Sequence, residues 1–177
     1  MKNLHTSAFR KSAVAGLFYP SDASQLLSDL KRFMAGAHPH QLSPKALIVP
    51  HAGYIYSGAI AAIAYATLIA RREIIRRVVL LGPAHRVAVR GLALPGADYF
   101  NTPLGSVMVD KQAIQSIVNY PQITISLEAH ALEHALEVQL PFLQYVLADF
   151  RVLPLVVGAA SAQEVAEVLD AVWGGDE

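Results

Sequence analysis

Ala46-Leu47-Ile48-Val49-Pro50-His51-Ala52-Gly53-Tyr54-Ile55-Tyr56-Ser57-Gly58 is the stretch from which the fold is read. Its first four residues are apolar and read as a buried strand over 46–49, which Pro50 stops because it has no N–H for a ladder. His51 is then handed to a loop, and a helix follows almost at once. Ligands in open α/β sheets bind outside the carboxyl ends of strands, so His51 stands where chemistry is usually done. A second segment repeats the plan. Val78-Val79-Leu80-Leu81 is apolar and β-rich, and Gly82-Pro83-Ala84-His85 turns out of it. Between the two lies a run of small apolar residues over 58–70, read as a helix capped by Ser57 and buried on several sides. Strand, helix and strand form a right-handed crossover unit. Strands 46–49 and 77–81 are therefore expected to be parallel, with His51 and His85 emerging at one edge of the sheet.

Length and composition narrow the function classes. At 177 residues, 54% hydrophobic and 16% charged, the chain fits one domain with a sizeable core. Fourteen basic residues balance fourteen acidic ones, so neither a nucleic acid nor an anionic membrane is an expected partner. Arg71, Arg72, Arg76 and Arg77 cluster, but they flank a helix end, where cations are favourable. With no cysteine, the chain offers no disulfide, thiolate ligand or cysteine nucleophile. Residues 1–7 lack an apolar signal-peptide core, and the longest apolar run, 59–70, is shorter than the roughly 20 residues of a membrane span. A cytoplasmic location is the resulting expectation.

Further along the chain, Ala13 to Pro20 reads as an extended apolar entry. Asp22 and Gln25 have capping-box spacing at the start of a helix carrying Leu26, Leu27, Leu30, Phe33 and Met34, which Gly36 ends. Residues 38–44 read as a loop; two histidines in it, His38 and His40, lack a nearby third ligand. A short strand is expected at 91–95, a loop at 98–105, a strand at 106–109 and a helix at 111–119 capped by Asp110. Another short strand at 123–125 precedes a helix at 134–148, interrupted or started near Pro141. A buried strand at 150–157 and an amphipathic helix at 161–173 follow, the latter with Ala162, Val165, Val168, Leu169 and Val172 inward. The fold class expected is α/β, a layered αβα arrangement around a largely parallel or mixed sheet. In such an alternating chain the next element would be a strand, so residues 1–177 are expected to form the N-terminal part of a longer single domain.

Imidazole is a common ligand for zinc, copper, iron and nickel, and His51 and His85 are candidates for one metal site. Two histidines, a carboxylate and open positions make the pattern of non-haem iron(II) oxygenases. Glu128-Ala129-His130-Ala131-Leu132-Glu133-His134-Ala135-Leu136-Glu137 offers partners. On a continuous helix His130, Glu133, His134 and Glu137 would share one face. His130 to His134 also matches H-x-x-E-H, the inverted zincin pattern; a solvated charged face explains the cluster nearly as well. Tyr54 and Tyr56 could donate to a bound oxyanion or line a pocket, and Gly53 could allow close backbone approach.

Taken in order, several segments resemble the Memo family, known in bacteria and archaea as AmmeMemoRadiSam system protein B. They are Ala15-Gly16-Leu17-Phe18-Tyr19-Pro20, Val49-Pro50-His51-Ala52-Gly53-Tyr54-Ile55-Tyr56-Ser57-Gly58, Leu81-Gly82-Pro83-Ala84-His85, Thr102-Pro103-Leu104-Gly105, 133–143 and 153–158. The resemblance implies a fold like that of the class III extradiol ring-cleavage dioxygenases, which use non-haem iron(II). It implies that His51 and His85 bind iron or copper. It places His134 in the same pocket, where the dioxygenases keep a catalytic acid/base. Tyr54, Tyr56 and Glu133 are the candidate substrate-binding residues. In the family a third metal ligand lies in a Ser-Asp-x-x-His stretch that follows a Trp-Gly-Gly segment, hence beyond Glu177 here. The bacterial name reflects genomic association with a radical-SAM protein, which the resemblance makes a candidate partner.

Three functions therefore compete. One is a metal-binding protein with a dioxygenase-like cleft and redox chemistry on a small molecule. Another is a non-catalytic module that holds a peptide or protein in the same pocket. The last is a zinc-dependent hydrolase using His130, Glu133 and His134.

Overall fold

The computed structural model describes residues 8–38 and 42–174. Its organising element is β7 (Arg151–Val157), a buried strand whose two edges are both used. Along one edge β2 (Arg77–Pro83) runs parallel for its full length, Arg77 opposite Arg151 through Pro83 opposite Val157. The other edge is shared. β5 (Gly105–Val109) pairs in parallel with its start, and β3 (Leu92–Leu94) pairs antiparallel with its end. Pro154, which has no N–H to donate, falls in the stretch 153–155 that neither β5 nor β3 covers. The sheet continues outward through the β4 (Tyr99–Thr102) to β5 hairpin to β1 (Phe9–Arg10), and through β3 to β6 (Ile123–Ile125). It is mixed and curled, as an α/β layered fold allows.

Helices cover both faces. α1 (Ala23–Ala35) starts where the Asp22 carboxylate accepts from the Gln25 N–H, and it buries Leu26 and Leu30. α2 (Tyr54–Ala66) follows, together with the short α5 (Leu140–Val146), begun by Pro141 in its first turn. These three helices share one apolar core, in which Phe142 stacks on Tyr65 at 5.1 Å and touches Tyr54 at 5.0 Å. On the opposite face α3 (Lys111–Ile117), capped by Asp110, and α6 (Ala162–Val172), begun by a Ser161–Glu164 capping box, enclose a second core. It holds Leu92, Leu94, Ile117, Leu153, Leu155, Val168 and Val172. The short α4 (Leu127–Ala131) lies against β3. No described helix is long and apolar enough to cross a membrane.

Several expectations are corrected. Residues 46–49 form no strand, so the parallel 46–49/77–81 pair does not exist. Prolines at 44 and 50 bracket the segment, Ile48 is fully exposed, and an apolar cavity of about 450 Å³ lies between it and β2. α2 starts a turn earlier than expected, with Gly53 as its cap. Ser57 lies inside it and donates to the Ala52 carbonyl, while Ile55, Tyr56 and Ile60 are exposed. Residues 13–20 do not run extended; they fold into a compact turn closed by Gly16 N–H donating to Tyr19 O, with Gly16 at φ 83°. The segment 98–105 is not a loop, because β4 occupies most of it and the two-residue turn Pro103–Leu104 leads into β5. Finally, Ala162 is exposed and Leu169 only half-buried, so the buried stripe of α6 is narrower than expected.

Val168 is fully buried on the face away from α2. Val168→Ala should lower the unfolding free energy by about 2 kcal/mol, the cost of two lost methyl groups and the space they leave. Urea denaturation at neutral pH measures it.

Candidate metal centre

Three separate pieces of backbone each bring one histidine to the same place. β2 delivers the first: beyond Pro83, the Ala84 N–H donates to Val157 O at 2.9 Å, and His85 leaves the sheet at its end. His51 follows Pro50, whose carbonyl accepts from the buried Gln139 amide at 3.2 Å. Gln139 in turn accepts from the Tyr65 hydroxyl at 2.9 Å. This chain of hydrogen bonds ties the start of the His51 loop to α2 and to the segment before α5. His134 lies in the turn after α4. That turn sits directly on Gly82, where a Cβ would meet Leu136 Cδ2 at 2.9 Å and Ala135 Cβ at 3.0 Å. A side chain at position 82 would push the turn off β2.

The rings meet at short range. Centroids are 5.3 Å apart for His51 and His85, 5.8 Å for His51 and His134, and 4.5 Å for His85 and His134, the last pair stacked. One nitrogen from each of the three rings lies within 4.8 Å of the others, so the group could hold a metal ion. His51 and His134 are half-buried and His85 is exposed, which leaves the cluster accessible from one side. Phe18 walls it, its ring 4.7 Å from that of His134.

Glu133 organises the cluster from behind. One carboxylate oxygen accepts from His85 Nδ1 at 2.8 Å, His134 N–H at 2.8 Å and Ala135 N–H at 2.9 Å; the other accepts from His85 N–H at 2.7 Å. Burial alone would raise this carboxyl. The Ala135 N–H, the His85 ring and the His85 N–H outweigh it and hold the group below the usual carboxylate range. An ionised carboxylate only accepts, so His85 carries its proton on Nδ1 and presents Nε2 to the cleft. His134 shifts down. Burial is the main cause, Glu133 opposes it, and the neighbouring His85, His51 and Arg86 add to it.

Other candidates lie elsewhere. Tyr54 is buried with its hydroxyl donating to Val138 O at 2.7 Å, whereas Tyr56 is 81% exposed on the first turn of α2. His38 is exposed, and His40 lies outside the described residues. The expected helical face of His130, Glu133, His134 and Glu137 does not form. α4 stops at Ala131, the chain turns, and only a 3-10 turn spans Glu137–Gln139. His130 is fully buried and points away, its Nε2 bonded to Ala93 O at 2.8 Å, so the H-x-x-E-H spacing makes no zinc pair here. The sequence reading missed Arg10 and Gln139, and took Glu137 only as part of a helical face. All three are buried polar residues whose partners lie far away in sequence, and no local spacing could have exposed them.

His130 yields a test of this geometry. Burial lowers its pKa to about 4 against the bond to Ala93 O, which favours protonation. The folded pKa lies below the unfolded one near 6.5, so the unfolded chain takes up the proton first. The stabilisation is complete above about pH 6.5 and is lost as pH falls toward 4. His130→Gln should remove about 2 kcal/mol of pH-dependent stability between pH 7 and pH 5. Urea denaturation of both proteins at the two pH values gives the difference.

A family model described as Memo-like protein matches residues 10–174. A MEMO1 family protein of Aquifex aeolicus is 44% identical over 150 residues, covering 84% of this chain and 54% of the relative. One from Ignicoccus hospitalis is 40% identical over 164 residues, covering 84% and 56%. One from Metallosphaera sedula is 37% identical over 181 residues, covering 93% and 62%. The chain thus spans little more than half the length of these relatives. With a family model across nearly the whole chain and this level of identity, the protein belongs to the Memo family.

Proposed function

We propose that this is a metal-binding protein whose cleft holds one iron(II) or copper ion on His51 and His85, with His134 as the acid–base group beside it. The carrying observation is the convergence of three imidazoles, one of them oriented by a buried carboxylate. The donor set fits such an ion. Imidazole nitrogen suits iron and copper, and ligating histidines commonly donate their second N–H to a carboxylate, as His85 does to Glu133. An ion bonded at about 2 Å needs donors about 3–4 Å apart, which small ring rotations would reach from the 4.8 Å limit seen here.

When bound, a redox-active ion would supply electron transfer to dioxygen and polarise a substrate oxygen. The chain's own residues do the remainder. Glu133 keeps His85 in one tautomer, and Phe18 shields one side of His134 from water. His134, whose burial favours the neutral ring, takes a proton from a hydroxyl-bearing small molecule.

A second reading rests on a different observation. Ile48, Ile55 and Tyr56 flank His51 in sequence and are each more than 80% exposed, an apolar surface suited to a peptide held without chemistry.

Metal content decides between them. Copper(II) or iron(II) titration should give one site per chain, weakened at least 100-fold by His51→Ala or His85→Ala. His134→Gln should weaken it less than tenfold while removing turnover. Absence of stoichiometric metal uptake would favour the peptide reading, and equal losses in all three variants would make His134 a third ligand.

A further inference from the structure

The metal cluster depends on a turn that has no regular structure of its own, and the side chain that ties that turn down lies more than a hundred residues away. Arg10, on β1 at the rim of the sheet, is 7% exposed. Its Nε donates to His130 O at 3.0 Å and its Nη2 to Glu133 O at 2.6 Å. These two carbonyls bracket the chain as it leaves α4. The third arm, Nη1, is paired with the carboxylate of Glu137, which is fully buried. Glu137 accepts as well from Ala13 N–H at 2.8 Å, Val14 N–H at 3.0 Å and the Tyr19 hydroxyl at 2.6 Å. The guanidinium also lies over the Phe100 ring, 5.2 Å from its centre.

We infer that Arg10 is a positioning residue for the histidine cluster: its guanidinium fixes the main chain from His130 to Glu133, so that Glu133 meets His85 and His134 faces His51. This rests on the metal reading given above only for what the cluster binds. Three features carry it. The guanidinium spends two arms on the carbonyls of one turn. The side chains at the far end of that stretch, Glu133 and His134, belong to the cluster. No helix or strand holds residues 132–136, so beside the short backbone bonds Glu133 N–H to His130 O and Val138 N–H to His134 O the anchors are side chains: Arg10 on the carbonyls, and Glu133 on its own neighbours' N–H groups.

A lysine cannot substitute. It keeps the charge that Glu137 requires, but a single ammonium lacks the planar fork that reaches two carbonyls and a carboxylate together. Loss of orientation behind a metal ligand typically costs 10- to 100-fold in affinity. General destabilisation alone does not select the cluster, so the comparison is with Val168→Ala, a core change on the far face of the sheet.

The test measures cobalt(II) affinity and the visible spectrum of the bound ion for wild type, Arg10→Lys, Tyr19→Phe and Val168→Ala. Nitrogen-15 NMR of the metal-free proteins reports the His85 tautomer alongside. Arg10→Lys is expected to weaken cobalt binding at least tenfold, to change the spectrum, and to replace the single Nδ1–H form of His85 by an exchanging mixture. Tyr19→Phe, which removes one donor to Glu137 and folds even if Arg10→Lys does not, should shift the same readouts in the same direction by a smaller amount. Val168→Ala should lower stability and leave affinity within twofold. An Arg10→Lys protein that matches Val168→Ala in affinity, spectrum and tautomer overturns the inference; if Arg10→Lys does not fold, unchanged readouts in Tyr19→Phe do so. If wild type binds no cobalt, the metal reading fails by itself, and the His85 tautomer still decides whether Arg10 positions the cluster.

Discussion

A buried turn without helix or strand must satisfy its backbone polar groups through side chains, because no ladder does it and water is excluded. Residues 132–136, between α4 and the 3-10 turn at Glu137–Gln139, are such a turn; a few short backbone bonds, Glu133 N–H to His130 O and Val138 N–H to His134 O among them, leave the rest to side chains, and the site is built from that solution. Arg10 takes the carbonyls of His130 and Glu133; the Glu133 carboxylate takes the N–H groups of His134 and Ala135; Tyr54 takes the carbonyl of Val138. Gln139 reaches out to Pro50 and Tyr65, and Glu137 reaches to the turn at 13–19. Among the described residues no buried side-chain polar atom is left without a partner. The same bonds that make the turn tolerable inside the protein also aim His51, His85 and His134 at each other.

The electrostatics follow from that arrangement. Glu133 and Glu137 sit in the interior, and neither is isolated. Glu137 is matched by a guanidinium and three further donors, and Glu133 by four donors, two of them on His85. Burying a charge costs several kcal/mol unless its lone pairs are met in this way, and removing one partner leaves the other stranded. The Tyr19 hydroxyl is accordingly held protonated well above its ordinary range, first by burial and then by the adjacent Glu137 charge. Stability and site geometry share these contacts, so few of them can be changed for one without the other.

Much of the layout was legible from local pattern. β2, β6, α1, α3 and α6 announced themselves through alternation, caps and apolar spacing, and His85 stands just past the end of β2, which runs on through Gly82 and Pro83, the pair read as a turn. His51 was placed correctly for an incomplete reason: the apolar run before it is a proline-bracketed segment held by Gln139, not a strand. β4 was hidden because Asp98, Asn101, Pro103 and Gly105 look like loop residues, although Phe100 and Thr102 alternate inward between them. The four-residue repeat from His130 to Glu137 looked helical and is not. His130 is pulled to Ala93 and Glu137 to Arg10, and no single helix could point them in those two directions and His134 in a third.

The missing strand has a physical account as well. Pro44 and Pro50 remove two N–H groups from a segment only seven residues long, and each restricts the residue before it. Pairing with β2 would also require Leu47 and Val49 to close on β2 across the apolar cavity lined by Leu80, Leu169 and Trp173. Instead the segment stands off, leaving β2 paired on one side only among the described residues. Its far end is nevertheless fixed, because the Pro50 carbonyl is bonded to Gln139 and the Tyr54 N–H to Phe18 O at 2.7 Å. Position at the histidine is thus set from the residues after and beside it rather than from the strand-like run before it. A sheet ladder is one way to hold a ligand loop; here two hydrogen bonds to a buried glutamine and to the turn at 13–19 do it.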